Sequence, residues 1–120
     1  MFARVTTLEG PPEQIDEALR HVQERVLPRI RQYDGYNGFI VLGDRQAGRV
    51  LGLTLWGSEQ ALRSTEEEAN RLRRETSDAV GQAIVGVESY EVPLLELRLI
   101  GGEQEEKGII DAARDKLSGR

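Results

Sequence analysis

Residues 35–56 decide the fold and read Gly-Tyr-Asn-Gly-Phe-Ile-Val-Leu-Gly-Asp-Arg-Gln-Ala-Gly-Arg-Val-Leu-Gly-Leu-Thr-Leu-Trp. Two apolar runs flank the polar segment 44–48, a pattern that predicts a β-hairpin. Alternate residues of the second run fall on opposite faces of a strand, and neither face is polar. One face carries Leu51, Leu53 and Leu55, and the other carries Val50 and Trp56.

These two apolar faces predict how the sheet is covered. Helices packed on one side of an antiparallel sheet leave its other side exposed. A soluble monomer rarely exposes a large apolar patch, so we expect a homodimer that buries the second face against a copy of itself. The pattern leaves open which face meets the helices and which meets the partner.

Before the hairpin, the sequence predicts a strand and a helix. Residues 2–8 are rich in β-branched side chains, and the Gly-Pro-Pro segment 10–12 ends the strand. Pro28 interrupts the helix because its ring conflicts with the carbonyl of Glu24, so we expect a kink or a loosened last turn. The apolar stripe of this helix consists of Ile15, Leu19, Val22, Val26 and Ile30.

After the hairpin, the sequence predicts one helix of about five turns and a last strand. Ser58 is the expected N-cap, Gly81 the expected C-terminal stop, and the strand covers residues 83–92 before Pro93. The acidic block 66–68 and the basic residues Arg71, Arg73 and Arg74 indicate a solvated outer face. The inner stripe consists of Leu62, Thr65, Ala69, Leu72, Thr76 and Ala79.

The predicted order β-α-β-β-α-β is typical of an α+β, ferredoxin-like domain with an antiparallel sheet and helices on one face. We expect this domain to cover residues 1–97. Residues 98–120 then form a tail, either frayed or folded as a short helix with Ile109, Ala113 and Leu117 on one side.

Composition excludes several classes of function. The chain of 120 residues has a net charge of −5, which disfavours nucleic-acid binding and docking on anionic membranes. It has no cysteine, which excludes disulfides and thiolate chemistry, and no acidic or histidine cluster has metal-ligand spacing. With no leader-like N-terminus and no apolar run long enough to span a membrane, we expect a cytoplasmic protein without metal or cofactor.

Three segments resemble the antibiotic biosynthesis monooxygenase superfamily, whose members are dimeric α/β-barrel proteins. They are Gly-Tyr-Asn-Gly-Phe at 35–39, Leu-Thr-Leu-Trp-Gly-Ser-Glu-Gln-Ala-Leu at 53–62 and Tyr-Glu-Val at 90–92. The resemblance implies a barrel formed by the sheets of two subunits, in which the partner's sheet would cover the face that the helices leave exposed. The sequence differs from those of the haem-degrading members of the superfamily. Its only histidine is His21, on the first helix, and its first strand offers Arg4 instead of their asparagine. Haem degradation is therefore not expected.

Three residues are candidates for catalysis. The resemblance places Trp56 beside a ligand cleft, although a large residue at a strand end is as readily explained by core packing. Asn37 could polarise a bound carbonyl or enolate oxygen, or it could belong to ordinary turn chemistry beside glycine. Arg4 could hold an anionic group in the cleft, or it could be an exposed edge charge.

Four further residues are candidates for the lining of the cleft. Gly52 and Thr54 share the face of Trp56, and Gly52 either leaves room for a ligand or marks a close backbone approach. Tyr36 lies in the turn into the second strand. His21 could be a general base, or it could lie on the solvated flank of its helix.

Two classes of function remain. One is a cofactor-independent monooxygenase that acts on a small aromatic or quinol-like compound, which supplies electrons to oxygen itself. The other is a non-catalytic dimeric module that binds a small ligand or only assembles. Fold resemblance alone does not choose between them.

Overall fold

The computed structural model describes residues 1–98. In this part of the chain the predicted order of elements is confirmed, as is the α+β class with helices on one face of an antiparallel sheet. The strands follow the spatial order β2-β3-β1-β4. The elements are β1 (Phe2–Glu9), α1 (Ile15–His21), α2 (Leu27–Ile30), β2 (Tyr36–Asp44), β3 (Arg49–Trp56), α3 (Glu59–Ser64), α4 (Glu66–Val80) and β4 (Ala83–Glu91).

The hairpin between β2 and β3 forms as predicted. The amide of Gly48 donates to the carbonyl of Asp44 at 2.9 Å, and the Asp44 carboxylate accepts from two further turn amides. Gly48 has a φ of +71°, and a Cβ there would lie 1.9 Å from the carbonyl oxygen of Gly10. A side chain at this position is therefore excluded by both conformation and space.

The register of the sheet settles which face of β3 meets the helices. Val50, Thr54 and Trp56 point towards the helices, and we call this side the helix face. Leu51, Leu53 and Leu55 lie on the other side, the open face, opposite Thr7, Val5 and Ala3 of β1. At the margins of the open face, Leu42 and Tyr90 are 49% and 52% exposed.

Pro28 loosens the first helix, as the sequence predicts. The segment Val22–Val26 between α1 and α2 is π-helical, and the amide of Leu27 donates to the carbonyl of Val22, five residues earlier. Proline has no N–H to donate and its ring crowds the carbonyl of Glu24, so the preceding turn widens.

The prediction of one continuous helix after the hairpin is wrong. Ser58 caps α3 through its side chain and Gly81 ends α4 in the left-handed conformation, as predicted. Between them, however, the helix breaks at Thr65, which has φ −101° and ψ 8°. The carbonyl of Leu62 accepts hydrogen bonds from the Thr65 hydroxyl and from the guanidinium of Arg4. The backbone amide of Thr65 donates to the same carbonyl at 3.4 Å, which closes a tight turn at the break.

The core lies between the helices and the helix face. Its main cluster comprises Val26, Leu27, Ile30, Phe39 and Leu72. On α4 the buried stripe ends at Val80, whereas Ala79, which the sequence placed on the stripe, is exposed. Among residues 1–98, no helix is both long and apolar enough to cross a membrane. The predicted tail lies outside the described residues, except for Arg98, which is exposed.

Candidate functional site

A cavity of about 100 Å³ lies between the helix face and the helices. Strands β1, β2 and β3 form its floor, and α4 together with the helical segment 15–30 forms its roof. Most of the wall is apolar, and a single stripe of polar side chains crosses it. The apolar part includes Val22, Val26, Ile30, Phe39, Val41, Val50 and Leu72, and the polar part includes Arg4, Thr6, Thr54, Thr65, Glu68 and Arg73.

Trp56 lines this cavity at the end of β3 and is 1% exposed. Its indole N–H donates to the hydroxyl of Thr54 at 2.8 Å, which fixes the plane of the ring. The ring of Tyr36 meets the indole edge-on, with the centroids 6.0 Å apart and the planes at 75°. The ring is therefore packed in the core and also forms part of the cavity wall, and its role beside a ligand stays a prediction.

Arg4 is neither an exposed edge charge nor a free cationic arm. It is 4% exposed, and its guanidinium donates to the carbonyl of Leu62 and to the hydroxyl of Thr65 at 3.4 Å. Burial lowers the pKa of Arg4, the neighbouring charge of Arg73 lowers it further, and Glu66 opposes both effects. Arg4 therefore ties β1 to the break between α3 and α4, and its charge remains at the cavity wall.

Arg73 also lines the cavity, so the prediction that it lies on the solvated face of α4 is wrong. Its guanidinium donates to the hydroxyl of Thr6 at 3.3 Å and to the side-chain oxygen of Asn70. Burial lowers the pKa of Arg73 as well. A signal was present, because position 73 follows Ala69 by four residues and therefore shares its stripe.

Glu68 is the acidic residue of the wall, and the sequence analysis placed it on the solvated face too. Its carboxylate forms ion pairs with Arg29 at 2.8 Å and with Arg71 at 3.2 Å. Arg29 also pairs with Glu75 at 2.8 Å, which connects α2 to α4. The Glu68 carboxylate is therefore engaged by two cations outside the cavity lining, Arg29 and Arg71.

The structure does not bring all the predicted residues together. Asn37 and His21 are half-buried, but neither lines the cavity. The register shifts between Tyr36 and Gly38, so Asn37 lies in an irregularity of β2, close to Gly57. A Cβ on Gly52 would lie 3.4 Å from the ring of Phe39, so this ring takes up the space beside the glycine.

The site therefore combines an apolar cavity with hydrogen-bond donors and positive charge on its wall. An apolar cavity accepts a small flat molecule, and fixed donors on its wall stabilise an anion that forms within it. In residues 1–98 no group of three or more His, Cys, Asp or Glu side chains is placed to hold a metal ion.

Comparison with known proteins places the fold. No protein-family model matches the sequence. The chain is similar to two uncharacterized proteins of Mycobacterium tuberculosis, Rv2557, with 30% identity over 92 residues, and Rv2558, with 33% identity over 98 residues. These alignments cover 77% and 79% of this chain but 41% and 40% of the relatives. The chain thus spans about two fifths of the length of these relatives.

Solved structures give the class of fold. A Deinococcus radiodurans protein assigned to the antibiotic biosynthesis monooxygenases superposes with a TM-score of 0.61 at 19% identity, over 82% of this chain and 98% of that one. A monooxygenase from the gene ActVA-Orf6 of Streptomyces coelicolor, solved in complex with nanaomycin D, has a TM-score of 0.61 at 19% identity, over 81% and 90% of the two chains. The chain has the ferredoxin-like fold of the antibiotic biosynthesis monooxygenases, which confirms the resemblance at the level of the fold.

Proposed function

We propose that this protein binds a small aromatic or quinol-like compound in the cavity beneath α4 and oxidises it with O2 as a cofactor-independent monooxygenase. The observation that carries the proposal is the pairing of a mostly apolar cavity with two guanidiniums in its lining, the buried one of Arg4 and the half-buried one of Arg73. The fold shared with monooxygenases supports the same class of reaction, although shared fold alone does not establish it.

The proposed oxidation requires few functional groups from the protein. A quinol that reacts with O2 to give a hydroxyquinone and water supplies every electron that the reaction consumes. The protein needs to hold the ring, favour its ionised form and exclude water. Trp56 and the apolar wall would hold the ring. Arg73, a cationic hydrogen-bond donor in the lining, would stabilise the ionised oxygen of the ligand. Arg4, bonded to the carbonyl of Leu62, would contribute through its charge.

We propose further that the protein works as a homodimer through the open face. The half-buried residues Leu51 and Leu53 lie at the centre of this face, and Leu42 at its margin is about half exposed. A second copy would bury these side chains in an isologous contact.

The second candidate function is a binding module without catalysis. One observation favours it, namely that Glu68, the carboxylate of the cavity wall, is held in ion pairs, while His21 lies elsewhere. His21, the candidate general base, therefore does not contact a ligand in this cavity, as general acid–base catalysis would require.

A thermal-shift screen followed by oxygen uptake tests both functions. Quinols, anthrones, flavins and haem are added to the full chain, and the monooxygenase proposal predicts stabilisation by a quinol or an anthrone together with O2 consumption above the uncatalysed rate. Stabilisation without O2 consumption would favour the binding module. A variant with a filled cavity, Ala69→Leu, should lose the shift, whereas Ala79→Leu on the exposed face of the same helix should keep it. Equal shifts in both variants would place the ligand elsewhere.

A further inference from the structure

The positive charge on the cavity wall has no direct counter-ion in the described part of the chain. The ion pairs of residues 1–98 hold Arg20, Arg29, Arg45, Arg49, Arg63 and Arg71, and neither Arg4 nor Arg73 is among them. Glu66 is the carboxylate that acts on both guanidiniums, and it does so from beyond salt-bridge distance. The guanidiniums of Arg4, which is buried, and of Arg73, which is half-buried, lose hydration that a bound anion would replace.

Arg73 is placed to bind such an anion directly. Both of its hydrogen-bond acceptors, the Thr6 hydroxyl and the Asn70 side-chain oxygen, are neutral. A guanidinium carries five N–H donors in a planar fork that matches the two oxygens of a carboxylate. Thr6 adds a hydroxyl on the strand below, next to Arg4 two residues earlier on the same face.

The rest of the cavity limits the size and shape of the ligand. The apolar part of the lining includes the core residues Val26, Ile30, Phe39 and Leu72. A volume of about 100 Å³ is of the order of the roughly 150 Å³ engineered cavity that binds benzene. The enclosed space therefore matches one ring, and the further rings of a fused compound such as an anthrone would extend through the open side of the cavity.

We propose that the ligand of this cavity is a single-ring aromatic carboxylate, with its ring on the apolar wall and its carboxylate on Arg73 and Thr6. This inference rests on the proposed function, because it names the class of compound that the same cavity takes. The carboxylate of such a ligand is negatively charged before any reaction. The proposed oxidation, in contrast, requires only the anion that forms when the quinol ionises.

Isothermal titration of the full chain with benzoate and with benzamide tests the inference. The two probes share ring and shape but differ in charge, so we expect benzoate to bind roughly ten- to one-hundredfold more tightly. Arg73→Gln should remove this preference, while Arg74→Gln, one position along on the exposed face of α4, should keep it. Arg73→Lys, which retains the charge, should keep most of it, and circular dichroism verifies that each variant is folded.

Each other outcome has a definite meaning. Equal affinity for benzoate and benzamide in the unmodified chain would overturn the carboxylate inference and leave the proposed binding of a small aromatic compound intact. Equal behaviour of Arg73→Gln and Arg74→Gln would overturn the role of Arg73. Absence of binding by either probe at millimolar concentration would overturn the inference, while the quinol and anthrone screen would still decide the proposed function independently.

Discussion

The guanidinium of Arg4 lies over the indole ring of Trp56, with Cζ 5.8 Å from the ring centroid. A cation at this distance from an aromatic face is attracted by the electrons of the ring. The same guanidinium donates to the carbonyl of Leu62 where the helix breaks. Arg4 therefore contributes both to the packing of the fold and to the wall of the candidate site.

Replacement of Arg4 should destabilise the protein. Arg4→Met removes charge-assisted hydrogen bonds to Leu62 and Thr65, so we expect a loss of about 1.5–3 kcal/mol in the free energy of unfolding. Urea denaturation measures the loss. The control is Arg63→Met, which removes an exposed i, i+4 ion pair with Glu59 and should cost at most about 0.5 kcal/mol. Equal losses in the two variants would contradict the structural role of Arg4.

Truncation of Leu72 should be costly as well. Leu72 is 4% exposed and belongs to the main core cluster, so Leu72→Ala should lower the free energy of unfolding by about 2–5 kcal/mol. Leu94→Ala is the matched control, since Leu94 is 82% exposed and should contribute almost nothing. A loss near zero for Leu72→Ala would mean that the wrong face of α4 has been assigned to the core.

The two faces of the sheet should respond differently to a buried charge. Val50 is 4% exposed on the helix face, so Val50→Glu should prevent folding or cost several kcal/mol. Leu53 is half-buried on the open face, so Leu53→Glu should leave the fold intact and weaken the proposed dimer. Sedimentation velocity with circular dichroism separates the two effects. An unmodified protein that stays monomeric as its concentration rises would contradict the dimer.

Most of the fold follows from local patterns in the sequence. The alternation in β3, the turn after Asp44, the cap at Ser58 and the disruption by Pro28 each depend on neighbouring residues, and each appears as predicted. The hairpin alone did not show which of its two faces would meet the helices. That choice depends on how the helices pack, which the register of one strand does not encode.

The candidate site followed less completely from the sequence. At the break, the Thr65 hydroxyl accepts a hydrogen bond from Arg4, which is 61 residues away, so no local window of sequence contains this contact. Arg73 and Glu68 were assigned to solvent because charged blocks usually lie outside, whereas their helical positions place both at the edge of the buried stripe. Asn37 was singled out by its neighbours in sequence, and an irregularity of β2 sets it apart from the cavity.

The central claim is that the cavity between the sheet and α4 binds a small aromatic compound, and Trp56 reports on it directly. It is the only tryptophan of the chain and it lines the cavity, so the whole indole emission comes from this one wall. Titration with benzoate, benzamide and the quinol or anthrone hits of the screen should give a saturable change in emission, and the change should disappear in the filled variant Ala69→Leu. Emission that does not respond to any of these compounds, or that changes equally in Ala69→Leu, would contradict the account.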